Sequence, residues 1–164
     1  MGPAAQLAFD FRRLPAVAAE PTAPSPAPCS TRDTLRTRGV HHDLRALFDA
    51  VNARCFGGSI DAALGWGRPA PRGRKRPRSI SLGTYDYELK LVRVHPALDQ
   101  EFVPRFYVEY ILFHEMLHHV MPAPVVDGRR RLHSPAFRAR ERAYPDYART
   151  VEWEQRFLRR LLNG

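Results

Sequence analysis

The sequence predicts an α+β fold: an N-terminal helix, a small, mainly antiparallel sheet, then helices. Three observations carry that expectation. The run HHDLRALFDAVNARCF (41–56) spaces Leu44, Leu47, Phe48, Val51 and Phe56 close to one helical face. Two short runs, SISLGT (79–84) and LKLVRV (89–94), alternate with the period of a strand. From Arg105 onward the spacing is again helical, in stretches punctuated by prolines.

In chain order, the first thirty residues are dominated by Ala and Pro without periodicity, so burial cannot offset the entropy of ordering them. Residues 1–38 are therefore expected to form a disordered Ala/Pro-rich tail, and 39–164 one domain of ordinary size. A first helix is expected over 41–56, stopped by Gly57-Gly58. Residues 62–67 suit a short strand. GRPAPRGRKRPRS (67–79) then breaks all periodicity with three prolines and a cluster of arginines, as an exposed basic loop would.

The two alternating runs form an antiparallel hairpin if Tyr85-Asp86-Tyr87-Glu88 is the turn. His95-Pro96 ends the second strand. Pro104 suits the first position of a helix through Met121, which Pro122 and Pro124 stop. After a loop over 122–132, Ser134 is an N-cap with Pro135 at the first helical position. Pro145 interrupts that third helix, and 146–162 form a last one with Tyr147, Val151, Trp153, Phe157, Leu158 and Leu161 as its apolar surface.

The formal net charge is +9, and a positive field concentrates polyanions. Arg68, Arg72, Arg74, Lys75, Arg76 and Arg78 in the basic loop, with Arg129, Arg130 and Arg131, are candidate DNA contacts through phosphates. The same surface has a second explanation: Lys occurs only at 75 and 90, and so strong an Arg bias is also what a GC-rich coding sequence yields. Cys29 and Cys55 are too few for a disulfide framework or a four-cysteine zinc site. With no signal-peptide pattern and no apolar stretch near the roughly 18 residues a bilayer demands, a cytoplasmic protein with no membrane partner is expected.

The run YILFHEMLHHVM (110–121) sets three histidines and a glutamate into an apolar helix. Residues four apart share a helix face, so His114 and His118 can hold one ion through their imidazoles. Glu115, rotated about 100° from His114, does not compete as a ligand yet reaches a water beside the ion as a base. Ile111, Leu112, Phe113, Met116, Leu117 and Val120 surround these polar groups, and burying them unpaired would cost several kcal/mol. The bland alternative is a set of hydrogen-bonded core histidines with Glu115 meeting an arginine.

A catalytic zinc takes three protein ligands and keeps a fourth position open. Candidates for the third are His133, His119, His95, His41, His42 and carboxylates such as Glu141. His119 lies about 140° from His114 around the helix and points away. His133, held immediately before a capped helix, is the choice.

From Leu44 through Phe137 the chain resembles the SprT-like zinc metallopeptidases, the group that includes Spartan. LFDAVNARCFGGSI is similar to their opening helix, SLGTYDYELKLVRVHPALD to their hairpin, and YILFHEMLHHVM with HSPAF to their HExxH helix and third-histidine segment. The stretch HSPAFRARERAYPDYARTVEWEQRFLRRL also resembles the YgjP-like metallopeptidases. The resemblance implies a zincin-like, gluzincin-type fold with one Zn2+ on His114, His118 and His133, Glu115 as catalytic base, and a protein or peptide substrate. Many SprT-like proteins also carry a cysteine-rich zinc ribbon; the cysteines here do not provide one, and no second, structural zinc is expected.

Three functional readings follow. The first is a zinc endopeptidase, stimulated by DNA and acting on DNA-bound protein, with an extended substrate laid along an edge strand. The second is a basic nucleic-acid-binding module whose zinc is structural, closed by Glu141 or His119 as a fourth ligand. The third is a zinc hydrolase with a non-peptide substrate. Tyr144, Tyr147 and several arginines are candidates for stabilising an oxyanion, with no spacing that selects among them.

Overall fold

The computed structural model describes residues 35–68, 81–126 and 129–163. Its first helix, α1 (Leu44–Phe56), begins three residues later than helical spacing alone suggests. The reason is capping. The Asp43 carboxylate accepts from the backbone N–H groups of Arg45 and Ala46, which stabilises the helix start by about 1 kcal/mol. His41 and His42 stay outside because their backbone N–H groups, with that of Val40, donate to the Asp99 carboxylate. At the other end Gly57, at φ 61°, takes the left-handed position that closes the helix.

Strand β1 (Ala63–Trp66) is buried along its whole length, as expected of a short apolar run. Strands β2 (Gly83–Asp86) and β3 (Leu91–Val94) form the expected antiparallel hairpin, but its turn falls two residues later, at 87–90. Asp86 sets that position: its carboxylate accepts from the N–H groups of Glu88 and Leu89, a local turn of the kind Asp favours. The sheet order is β1-β3-β2, with β1 parallel to β3. The outer edge of β1 is covered, since the Trp66 N–H donates to the Arg36 carbonyl and Leu35 lies against Gly65. β2 is the opposite edge, and among the described residues no strand pairs with the side of it away from β3.

A single 3-10 turn, Pro96–Leu98, leads to α2 (Arg105–Val120). Pro104 stands just before the helix, not at its first position, with its carbonyl accepting from the Tyr107 N–H. Every residue of α2 from Tyr107 to His118 is buried, the mark of a helix enclosed on all sides. Helix α1, strands β2 and β3, and helices α3 (Pro135–Arg142) and α4 (Tyr147–Asn163) all pack against it. The span 122–132, expected as a plain loop, contains a two-residue ladder between β4 (Val125–Val126) and β5 (Arg129–Arg130). Ser134 caps α3 as expected, its hydroxyl accepting from the Phe137 N–H. Of the tail expected over 1–38 and the basic loop expected over 67–79, residues 1–34 and 69–79 lie outside the described residues, whereas the Arg36 and Thr37 carbonyls accept from the Trp66 and Leu44 N–H groups.

Candidate metal centre

Helix α2 supplies His114 and His118 one turn apart, and the turn before α3 brings His133 onto them. The Nε2 atom of His133 is 3.2 Å from Nε2 of His114 and 3.2 Å from Nε2 of His118. The three rings stand 5.0 Å apart, centroid to centroid. Phe137, buried on the first turn of α3, floors the cluster: its ring stacks on His118 at 4.6 Å and meets His114 and His133 edgewise at 5.2 and 5.0 Å.

The outward nitrogens of two rings are anchored. Nδ1 of His114 lies 2.7 Å from Oε1 of Glu141 on α3, and the same oxygen accepts from the Tyr110 hydroxyl at 2.8 Å. An ionised carboxylate only accepts, so Nδ1 of His114 carries a proton, and the nitrogen turned into the cluster is Nε2. Nδ1 of His118 lies 3.3 Å from the Tyr87 hydroxyl, in the turn after β2. Three imidazole nitrogens thus converge on one point, which a cation can occupy. Their 3.2 Å spacings approach the edge of a tetrahedron with metal–nitrogen distances of ~2.0–2.1 Å, which is about 3.3–3.4 Å. These three histidines form a cluster capable of holding a metal ion.

The electrostatics keep two of the rings in the form a metal needs. Burial, reinforced by the neighbouring imidazoles, lowers His118 to about 3 and His133 to about 4. Burial also pulls on His114, but its hydrogen bond to Glu141 and the charges of Glu115 and Glu141 outweigh it and raise His114. Glu115 is buried beside the cluster. Burial pushes its carboxyl up to about 7, against the pull of His114. Gly83 of β2 lies directly against this side chain.

The other histidines weighed as ligands lie outside the cluster. His119 shares a hydrogen bond with the Tyr85 hydroxyl through Nδ1, at 2.8 Å. Nδ1 of His95 accepts from the Ala97 N–H and Nε2 of His42 meets the Val103 carbonyl, while His41, whose backbone N–H donates to Asp99, is not part of the cluster. Glu141 stands behind His114, on the side of the ring away from the cluster. Of the candidate oxyanion donors, the Tyr144 hydroxyl accepts from Arg54 and Tyr147 packs against Tyr110. Among the candidate phosphate contacts, Arg68 and Arg131 are exposed; Arg72, Arg74, Lys75, Arg76 and Arg78 fall outside the described residues, and Arg129 and Arg130 form β5. An apolar groove of ≈ 890 Å³, lined by Phe56, Leu117, Met121 and Ala139 among others, contains none of the three histidines.

Sequence reasoning missed Tyr87 and the outer role of Glu141. The signal for Tyr87 was the alternation Gly83, Tyr85, Tyr87, which puts all three on the strand face toward α2. No helix of the described residues is long and apolar enough to cross a membrane. No family model, curated protein or solved structure matches the chain.

Proposed function

We propose that this chain is a zinc-dependent peptidase, with one Zn2+ held by His114, His118 and His133 and Glu115 as its catalytic base. Chemically, zinc on three imidazoles would acidify water and polarise a carbonyl. The Glu115 carboxylate takes the proton of the attacking water and delivers it to the leaving amine, a role suited to a carboxyl whose pKa burial has moved near neutrality. Phe137 and Glu141 hold the ligand rings in place during that exchange.

The observation that carries this reading is the placement of the two side chains that would close the site. Glu141 meets the outer nitrogen of His114 and His119 lies outside the cluster, so among the described residues the converging ligand atoms belong to three histidines, with Glu115 alongside. That is the donor set of a catalytic site, not of a sealed structural one.

The outer edge of β2, which no other described strand covers, suits an extended peptide, although the Gly83 carbonyl there already accepts from the Ser81 hydroxyl. The His95 N–H donates to the Leu82 carbonyl, so by antiparallel alternation the peptide groups of Gly83 and Tyr85 face away from β3. A substrate main chain added there runs past Glu115 without demanding a particular side chain. The net charge and exposed Arg68 and Arg131 favour DNA-associated proteins as substrates, in keeping with the resemblance to SprT-like metallopeptidases.

The test pairs zinc stoichiometry with cleavage of an unstructured protein, with and without DNA, for wild type and Glu115→Gln. One zinc in both proteins and cleavage by wild type alone are expected. Zinc in both with cleavage by neither supports a structural ion.

A further inference from the structure

We infer that the inward face of β2 and its turn is a positioning template for the metal helix, with Gly83 making room for Glu115 and Tyr87 orienting His118. This rests on the proposed metal site. Residues 83, 85 and 87 alternate onto one face, and each meets a different polar residue of α2. Gly83 lies against Glu115, the Tyr85 hydroxyl reaches Nδ1 of His119, and the Tyr87 hydroxyl reaches Nδ1 of His118. The two tyrosine rings brace each other edge to face at 5.0 Å.

The Gly83 contact is steric. A Cβ at this position would stand 2.8 Å from Cγ and 2.9 Å from Cδ of Glu115, with Oε1 nearer still. Real Cβ atoms do not approach so closely, and Glu115, enclosed in α2, has little space to retreat. The backbone of Gly83 is not in the left-handed region, so the obstacle to a side chain is steric, and its three nearest atoms all belong to Glu115.

The Tyr87 contact is directional. With Nε2 of His118 turned to the cluster, its Nδ1–H donates to the Tyr87 oxygen, which fixes both tautomer and ring plane. His114 has a carboxylate in this role, whereas His118 has a neutral phenol carried by the turn that follows β2. Both residues act through another side chain and are positioning residues.

Two variants separate the parts. Tyr87→Phe should weaken zinc binding tenfold or more in a chelator competition, while Thr84→Ala, on the exposed face of β2, leaves it unchanged. Gly83→Ala should lower kcat on the order of 100-fold by displacing the base, with zinc affinity retained. It should also lower the thermal midpoint when residue 115 is Glu, but not in a Glu115→Ala background, where the clashing atoms are gone.

A Tyr87→Phe protein that binds zinc as wild type does, or a Gly83→Ala penalty equal in both backgrounds, overturns the template. Wild type that takes up no zinc instead sinks the metal site itself, and the Tyr87 role with it; the Gly83 cycle is read without metal.

Discussion

Replacing Glu141 by Gln tests the centre at its anchor. The carboxylate lies 2.7 Å from Nδ1 of His114 and accepts the Tyr110 hydroxyl at 2.8 Å, and both side chains of the pair are largely buried. An amide oxygen can accept the same two bonds, so the substitution removes charge while keeping shape. Bonds to an ionised acceptor contribute about 1.5–3 kcal/mol against about 0.5–1.5 for neutral ones. The difference of about 1–1.5 kcal/mol weakens zinc binding roughly tenfold. Loss of negative charge behind a dication acts in the same direction, toward the 10–100-fold range of such outer partners.

The proton balance supplies an independent check. In the metal-free protein Glu141 keeps His114 protonated above the usual histidine range, and burial keeps Glu115 protonated up to about 7. Zinc uptake at pH 6 should therefore release about two protons from wild type. Glu141→Gln removes the charge and the strongest bond that raise His114, so its ring holds its proton less firmly and fewer protons should be released than from wild type. Calorimetry in buffers of different ionisation enthalpy measures both affinity and release. A variant with wild-type affinity and wild-type release refutes the assignment of Glu141 to His114.

Phe137→Ala should destabilise the fold by about 3–5 kcal/mol and weaken zinc binding as well, because the ring floors all three histidines; urea unfolding and chelator competition measure the two effects. Asp43→Ala should cost about 1 kcal/mol through loss of the α1 cap and leave zinc affinity unchanged, since the cap touches no ligand. The metal-free protein should respond to acid in a way that Glu115 masks. His118 and His133, lowered to about 3 and 4, bind more protons when unfolded, so their contribution is present above about 6.5 and lost as pH falls toward 4. Glu115, raised to about 7, holds its proton more tightly when folded, so its contribution is present below about 4.5 and lost as pH rises through 7. Glu115→Gln removes the second effect, along with the Glu115 charge that helps to raise His114, and its urea midpoint should fall more steeply than that of wild type between pH 7 and 4.

What the sequence made legible was local. His114, Glu115 and His118 follow from helical geometry, and α1, α3 and α4 from spacing, with the Ser134 cap before α3; the Asp43 cap is not among those expected, and the expected α1 starts three residues early for that reason. His133 was legible because a capped proline start fixes the backbone just after it. The hairpin turn was misplaced because Tyr85 and Asp86 look like turn residues, whereas the side-chain bonds of Asp86 push the reversal onward. The parallel pairing of β1 with β3 joins residues 28 apart, and no local pattern encodes it. The outer partners were hidden for the same reason: Glu141 meets His114 only once α3 packs on α2, and Tyr87 meets His118 only in the register of β2 on the helix.

The arrangement of charge around α2 explains how so polar a group sits in an enclosed helix. Without metal, Glu141 is paired with a protonated His114 and Glu115 holds its own proton, so the buried group is close to neutral. With a dication on the three imidazoles, two carboxylates balance two positive charges and both protons have left. Neutrality is preserved in either state, which is what a site of low dielectric requires, since an unbalanced buried charge costs several kcal/mol. A neutral Tyr87 behind His118 fits this balance, because a third carboxylate there would leave the loaded centre negative. The phenol and the carboxylate are therefore not interchangeable supports: one sets direction alone, and the other sets direction and charge.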